Sequence, residues 1–399
     1  MKILLVNDFI EEIGGVEIYC HKLKKLLEMQ GYNVRLIGGG YKRNIPIRFL
    51  SSVINFKFLR TIKNTIEEYD PDIVHVHSIS ANISPLFLFL LKKRKIPIVM
   101  TIHGFSHYIC PQFWLLYKLK EPCKFGFSIR CIFVKCHSSM NILYRIASWV
   151  KMFIHRQMIK RCVDIYICPS AILAKYIRKS LNVNNVFTLS LFVETSKIYD
   201  KEETSYKNYS ITEETKHLLF VGRLSKEKGL EHLICSMPLI LKKFPNVKLH
   251  IVGEGKEFNN LLKKAHDKGV SKSVIFHGYL KHEELNTLYK KCDIFVLPSI
   301  CAEAFSLVIL EAMSMGKPVI TTNFGGQAEL VKSGYNGYTV APRKTEEMAD
   351  IILLLLSSED LRKKMGHNSK VFSQKFNSKT HIEGIKKIYE YALKIKKEP

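Results

Sequence analysis

Residues 296–313 read Val296-Leu297-Pro298-Ser299-Ile300-Cys301-Ala302-Glu303-Ala304-Phe305-Ser306-Leu307-Val308-Ile309-Leu310-Glu311-Ala312-Met313. A short apolar run of strand type, Ile294 to Leu297, passes through a loop into an apolar segment of helix length. This is the strand, loop, helix unit of a parallel sheet covered on both faces by helices. Glu303 falls in the loop and Glu311 in the second turn of the helix.

The same rhythm extends outward in both directions. Upstream and downstream of residue 296, strand-like runs occur at His217 to Val221, Val247 to Val252, Val274 to His277, Ile294 to Leu297, Pro318 to Thr321 and Gly337 to Val340. An earlier series comprises Lys2 to Val6, Asn33 to Ile37, Ile73 to His77, Ile96 to Thr101 and Ile165 to Cys168, with amphipathic helical segments between. The class is therefore α/β, with two Rossmann-like, doubly wound parallel-sheet domains. Residues 1–193 form the first, residues 194–216 a polar linker (DKEETSYKNYSITEETK), residues 217–375 the second, and residues 376–399 a Lys-rich terminal helix expected to pack back toward the first domain. Two such domains facing one another would set the carboxyl ends of both sheets around a central cleft, where open α/β sheets bind ligands.

Length and composition agree with this reading. A chain of 399 residues suits two domains, and 47% hydrophobic residues support buried cores. The opening MKILLVNDF has too few apolar residues for a signal-peptide core, no run is long enough to span a bilayer, and the ten Cys are expected as reduced thiols. The formal charge of +25 implies a polyanionic partner. Residues 1–190 hold +17 of it and residues 191–399 only +8. From Pro122 to Val163 there are eight basic residues and no acidic one.

Three constellations carry chemistry. Gly14-Gly15 stands just ahead of a helix (Glu17 to Gln30), so either the helix start receives an anion or the pair merely makes a turn with positive φ. In Gly222-Arg223-Leu224-Ser225-Lys226-Glu227-Lys228-Gly229, a strand end is followed by Arg223 and Lys228 across a turn, a forked guanidinium and an ammonium between which a diphosphate could lie. Taken alone, a solvated loop is the plainer reading. In the third, backbone N–H groups at Phe305, Ser306 and Leu307 open the helix between Glu303 and Glu311, suited to a phosphate flanked by carboxylates that accept from sugar hydroxyls.

Taken together, the Gly-Gly loop, the Gly-Arg-Leu turn with its downstream Lys, and E-x7-E followed by Gly316-Lys317-Pro318-Val319-Ile320 resemble glycosyltransferase family 4, also called glycosyl transferases group 1. The similarity covers essentially the whole chain. It implies the GT-B architecture and a retaining, metal-independent hexosyltransferase with no cofactor, whose donor is a nucleotide sugar, UDP- or GDP-linked in preference to ADP-linked. By the resemblance, Arg223 and Lys228 match the diphosphate-binding pair, Glu311 the ribose-binding carboxylate, and Glu303 the carboxylate beside the donor sugar. Gly14 and Gly15 match the loop approaching the donor phosphate, His103 the sugar-contacting histidine, and Gly278-Tyr279-Leu280 the segment flanking the base. Glu303, His103, Arg223 and Lys228 are the catalytic set so implied.

The chain also departs from the family. Glu303-Ala304-Phe305-Ser306 replaces the more usual Glu-Gly-Phe-Gly, which restricts the loop backbone. After His103, an insert gathers Cys110, Cys123, Cys131 and Cys136 near His107 and His137. Zinc ligands could come from such a set, but the spacings lack compact C-x2-C pairs, and packed or free thiols are the alternative. Asp70-Pro71-Asp72 spells a metal-binding D-x-D but precedes its strand, at the wrong end of the sheet, and reads as a turn.

The expected activity is sugar transfer to a hydroxyl of a glycan or lipid-linked acceptor, in cell-surface polysaccharide or lipopolysaccharide synthesis. A sugar-nucleotide epimerase of the same architecture and a basic nucleic-acid binder are the rivals; the absence of nucleic-acid motifs counts against the latter. Asn141 to Arg161 reads as a basic amphipathic helix, pointing either to an anionic membrane surface or to an ordinary domain helix with a solvated basic side. The expected location is cytoplasmic, peripheral on the inner face of the cytoplasmic membrane.

Overall fold

The structure, a computed structural model, describes residues 1–11, 14–39, 54–79, 82–105, 127–133, 141–193 and 215–397. Most of the expected linker, together with Cys110, Cys123, Cys136, His107 and His137, lies outside the described residues. The chain divides into two compact units, Met1–Ser190 with Ser378–Pro399, and Leu191–Asn377.

In chain order the first unit contains β1 (Lys2–Asn7), α1 (Gly15–Met29), β2 (Asn33–Gly38), α2 (Phe56–Tyr69), β3 (Ile73–Val76), α3 (Phe87–Lys93), β4 (Ile98–Thr101), α4 (Arg130–Phe133), α5 (Ile142–Cys162), β5 (Ile165–Cys168), α6 (Ala171–Leu181) and β6 (Val186–Thr188). The strands form one parallel sheet in the order β2-β1-β3-β4-β5-β6. Ile3 to Val6, Ile73, Val74, Val76 and Ile98 to Met100 are fully buried, because helices cover both faces and no alternation with polar residues is needed. The α1 residues Leu23 and Leu27, four apart, face the sheet. Asn55 caps α2, its side chain accepting from the Phe58 N–H at 3.0 Å. Asp70 closes α2 in the left-handed region, so Asp70-Pro71-Asp72 is a turn ahead of β3, with Asp72 accepting from the Lys2 N–H at 2.7 Å.

One strand escaped the sequence reading. β6 has only three residues and sits at the sheet edge beside β5, too short to show a period. α5 also departs from the plainer expectation. Leu143, Ile146, Val150 and Phe153 are exposed at helical spacing, while Arg145 and His155 are buried on the opposite side. Arg145 reaches the Phe133 carbonyl at 3.3 Å, and Arg156 lies over the Phe127 ring at 4.6 Å and donates to Ser180.

The second unit contains β7 (Lys216–Val221), a 3-10 turn at Lys226–Lys228, α7 (Leu230–Lys243), β8 (Val247–Val252), α8 (Phe258–Asp267), β9 (Val274–Gly278), α9 (His282–Lys291), β10 (Ile294–Leu297), α10 (Leu307–Ser314), β11 (Val319–Thr322), α11 (Gln327–Leu330), β12 (Gly337–Val340), α12 (Thr345–Ser357) and α13 (Glu359–Ser373). Its parallel sheet runs β12-β11-β10-β7-β8-β9. The core is built from fully buried Leu218, Leu219, Phe220, Leu249, Ile251, Ile294 to Leu297, Ile309 and Leu310, closed by Ile352 and Leu355 of α12.

The terminal helix α14 (Ser378–Lys397) belongs to the first unit. Ile385, Tyr389 and Ala392 are buried, Lys396 pairs with Asp164 at 3.1 Å, and the His381 Nδ1 donates to the Ser190 carbonyl at 2.8 Å.

Candidate functional site

In the second unit the sheet grows away from β7 in both directions, toward β8 on one side and β10 on the other. Loops leaving the carboxyl ends of β7 and β10 therefore part, and this switch point is where such sheets take ligands. Two of the motifs singled out above lie on those loops.

The loop after β7 runs through Arg223 to the Lys226–Lys228 turn and ends at Gly229, at φ +65°. A Cβ at Gly229 would fall 2.1 Å from the Pro298 carbonyl oxygen, so glycine is required both for the left-handed backbone and for close approach to the end of β10. The Ile300 N–H donates to the Glu227 carbonyl at 2.9 Å, stitching the two loops together. This brings the Lys228 Nζ to 2.9 Å from Glu303 Oε1. Burial opposes the Lys228 ammonium, but the adjacent Glu303 charge and its hydrogen bond outweigh that, and the Lys228 pKa is raised. Arg223 is exposed, and its guanidinium makes no hydrogen bond or ion pair among the described residues.

Glu303 is held from several sides. The Ser299 hydroxyl donates to Oε1, and the Glu303 N–H donates to Gln327 Oε1 at 2.9 Å. The Gly326 N–H donates to the Glu303 carbonyl at 2.7 Å, while the Gln327 amide nitrogen reaches the Cys301 carbonyl and Thr322 Oγ1, each at 3.2 Å. The carboxylate is thus positioned before any ligand arrives. Burial first, and then the Glu303 charge, push the Cys301 thiol up to about 12, so it stays protonated. Sequence reasoning missed Ser299 and Gln327. Nothing in their spacing marks them, since Gln327 reaches Glu303 only because β11 lies beside β10.

The α10 helix starts at Ser306, whose buried hydroxyl has no hydrogen-bond partner among the described residues. Leu307 is the first helical residue, and Phe305 packs 5.9 Å from the Phe376 ring. One turn into the helix, Glu311 Oε2 accepts from the fully buried Tyr289 hydroxyl at 3.0 Å. Burial, and next the Glu311 charge, hold the Tyr289 phenol well above its ordinary value, so it donates. At the ends of β8 and β9, the Gly253 N–H donates to the Gly278 carbonyl at 2.7 Å. A Cβ at Gly253 would lie 2.0 Å from the Gly222 carbonyl oxygen, so three strand ends draw close there. Tyr279 beyond them is exposed, and Leu280 is partly buried.

In the first unit the corresponding switch point lies between β1 and β3. Gly14 caps α1 with extended backbone at φ −156°, and Gly15 is the first helical residue, so the pair makes no left-handed turn. A Cβ on Gly15 would meet nothing within 4 Å, which leaves this face of the helix start open. Asn7 Oδ1 accepts from the Ser78 N–H at 3.0 Å, and Asp8 Oδ1 accepts from the Asn82 and Ile83 N–H groups at 2.8 and 2.9 Å, tying the loops after β1 and β3 together.

His103, just past β4, is half-buried, and its Nε2 lies 3.1 Å from Nδ1 of the buried His77, just past β3. Burial pushes His103 down to about 3 and His77 well below its ordinary value, so both rings are neutral. Tyr19 stands edge-on to both rings, with centroids 5.7 and 5.3 Å away. His77 was not singled out in the sequence. Its signal was the alternation His75-Val76-His77, which puts two histidines on one face of a strand.

Of the cysteines considered for zinc, only Cys131 lies among the described residues, where it is buried, and no group of three candidate ligands occurs among those residues. Likewise no described helix is long and apolar enough to cross a membrane.

Two family models match the chain, one after the other. The family model for glycosyltransferase family 4 matches residues 13–197, and that for glycosyl transferases group 1 matches residues 201–372. The glycosyltransferase MJ1178 of Methanocaldococcus jannaschii is 25% identical over 98% of both chains. MJ1607 of the same organism is 37% identical, across 41% of this chain and 42% of that protein's own length. Among solved structures, Anabaena Alr3699/HepE in complex with UDP-glucose superposes with a TM-score of 0.68 at 19% identity, over 98% of this chain and 100% of that one. With the two models together spanning most of both units, the chain belongs to glycosyltransferase family 4, the glycosyl transferases group 1, with two Rossmann-like domains of the GT-B fold.

Proposed function

We propose that the protein moves a hexose from a nucleotide-diphosphate donor to a hydroxyl of a glycan or lipid-linked acceptor, with retention at the anomeric carbon. The observation that carries this reading is the Lys228–Glu303 pair at the switch point between β7 and β10, with the unpaired Arg223 on the same loop. The bond from the anomeric carbon to the diphosphate oxygen breaks, and the acceptor oxygen bonds to that carbon from the same face. The acceptor proton passes to the departing phosphate oxygen. Arg223 and Lys228 stabilise the charge gathering on the diphosphate, the task a divalent metal performs in other transferases. Glu303 accepts hydrogen bonds from the donor sugar and Glu311 from the ribose. The second unit takes the donor and the first the acceptor.

A panel of UDP-, GDP- and ADP-sugars tested by thermal stabilisation and slow hydrolysis identifies the donor. A UDP- or GDP-sugar is expected to raise the melting temperature by several degrees at saturating concentration. Stabilisation by none of the three nucleotide classes would remove the proposal. Conversion of the donor to an epimer without any acceptor would instead favour the epimerase reading. That HepE binds UDP-glucose on the same fold supports including the UDP series.

The acceptor side is assigned to an anionic membrane surface on the cytoplasmic face, in polysaccharide or lipopolysaccharide synthesis. In support, α5 exposes Leu143, Ile146, Val150 and Phe153 together with the basic Lys160 and Arg161, and has no acidic residue. The protein is expected to float with anionic vesicles and to be released by salt, as screening predicts. Equal recovery on neutral and anionic vesicles would count against this assignment.

A further inference from the structure

Four buried or half-buried imidazoles, His75, His77, His103 and His381, cluster with Tyr19 and Tyr389 in the first unit. The hydrogen-bond roles at one end follow from valence alone. A carbonyl oxygen only accepts, so His381 Nδ1, 2.8 Å from the Ser190 oxygen, carries a hydrogen. His381 is neutral, since burial pushes it down to about 4, and its Nε2 is therefore bare. That nitrogen, 2.9 Å from the Tyr19 oxygen, accepts from the Tyr19 hydroxyl. Tyr19 is thereby fixed edge-on to His77 and His103.

The same reasoning applies to the pair at the other end. Between the His77 Nδ1 and the His103 Nε2, 3.1 Å apart, one nitrogen donates and the other accepts. The deciding atom is His77 Nε2, which is buried and has no hydrogen-bond partner among the described residues. If the hydrogen of His77 sat there, a buried N–H would be left unmet; if it sits on Nδ1, only a lone pair is unmet. Unmet buried N–H groups are the rarer and costlier of the two. The His103 Nδ1 makes no hydrogen bond among the described residues, and the ring is half-buried, so that edge is available to a ligand.

We infer that His77 is a positioning residue that donates from Nδ1 to His103 Nε2 and locks His103 as the Nδ1–H tautomer. This rests on the reading of His103 as the sugar-contacting histidine. Held this way, His103 offers the sugar a neutral hydrogen-bond donor and no basic nitrogen, so it selects an acceptor oxygen and takes no proton. The substrate class follows: hexose donors bearing a hydroxyl or carboxylate oxygen at the position facing His103, with the corresponding deoxy sugars rejected.

Two-bond 1H–15N correlation spectra of the full-length protein, labelled at histidine, decide the matter directly, with His103 assigned from a His103→Gln variant. A protonated Nδ1 and a bare Nε2 on His103 are expected; the reverse pattern overturns the inference. His77→Leu is expected to lose the fixed tautomer and to lower kcat by on the order of 10-fold, as removal of an orienting partner does, with KM for the donor moving less. His77→Asn puts an amide N–H close to the Nδ1 position and is expected to restore most of that loss, and it also guards against a folding failure of the leucine variant. Equal impairment of the folded asparagine and leucine variants overturns the positioning role. Failure of the underlying reading looks different: His103 keeps the Nδ1–H pattern, yet His103→Ala leaves donor turnover intact.

Discussion

Lys228→Ala is expected to lower turnover of the sugar-nucleotide donor by about 10²- to 10³-fold, the loss found when one preorganised group facing a developing anion is removed. The reason lies in how Lys228 is held. Its ammonium is half-buried and fixed by the Glu303 carboxylate at 2.9 Å, so its charge is in place before a diphosphate arrives. A diphosphate drawing on Lys228 competes with Glu303, and the carboxylate it frees remains anchored by Ser299 and by Gln327 at its backbone. The loss should fall mainly on kcat, because the attraction strengthens as charge leaves the sugar. Arg223 is exposed, and Arg223→Ala is expected to cost less, about 10-fold, since water competes for the same phosphate oxygens. The melting temperature of each variant must be measured alongside, because removing Lys228 leaves Glu303 without its counter-ion. If both variants turned over donor within about threefold of wild type, the diphosphate assignment would be wrong.

Stability is expected to fall steeply as pH drops from about 6.5 toward 4. Burial pushes His75, His103 and His250 down to about 3 and His381 to about 4, with neighbouring imidazoles adding to the effect at His75 and His250. In the second unit, His217, His250 and His277 are hydrogen-bonded in a row across β7, β8 and β9, each contact 2.9 Å, so a proton on any one meets a crowded neighbour. An unfolded histidine binds its proton near pH 6.5, while these take it up only near 3 to 4. Between those values the unfolded chain holds more protons, so stability rises with pH, is fully present above about 7 and is lost on acidification. Each such residue contributes a slope of up to about 1.4 kcal/mol per pH unit, and four together up to about 5. Urea midpoints at pH 7.0 and 5.5 give the answer. An unchanged midpoint would mean that the imidazoles are not kept neutral.

Several of the site residues were legible because their signal is local. Arg223, Lys228, Glu303 and Glu311 follow strands of strongly apolar sequence, and a parallel strand delivers whatever follows it to the carboxyl edge of its sheet. The groups that orient them were not legible. Ser299 shares the loop of Glu303 but has no spacing that marks it, Gln327 and Tyr289 come from other helices, and His77 reaches His103 only because β3 and β4 are neighbours in the sheet. Gly14 and Gly15 show the opposite case. Their sequence suggested a left-handed turn or a ligand approach, and the backbone removes the first of these.

By itself the sequence determined the class of fold, eleven of the twelve described strands, and the family, because burial on both faces of a parallel strand demands an unbroken apolar run that can be read directly. Tertiary structure alone decided which charges are paired and which stay open. Lys228 is engaged by Glu303 while Arg223 is not, and α5 turns Arg145 inward and Leu143, Ile146, Val150 and Phe153 outward, against the plain reading of an amphipathic helix. Hydrogen bonds and ion pairs depend on distances between residues far apart in the chain. Those distances are set only when the sheet order and the loops leaving it are in place.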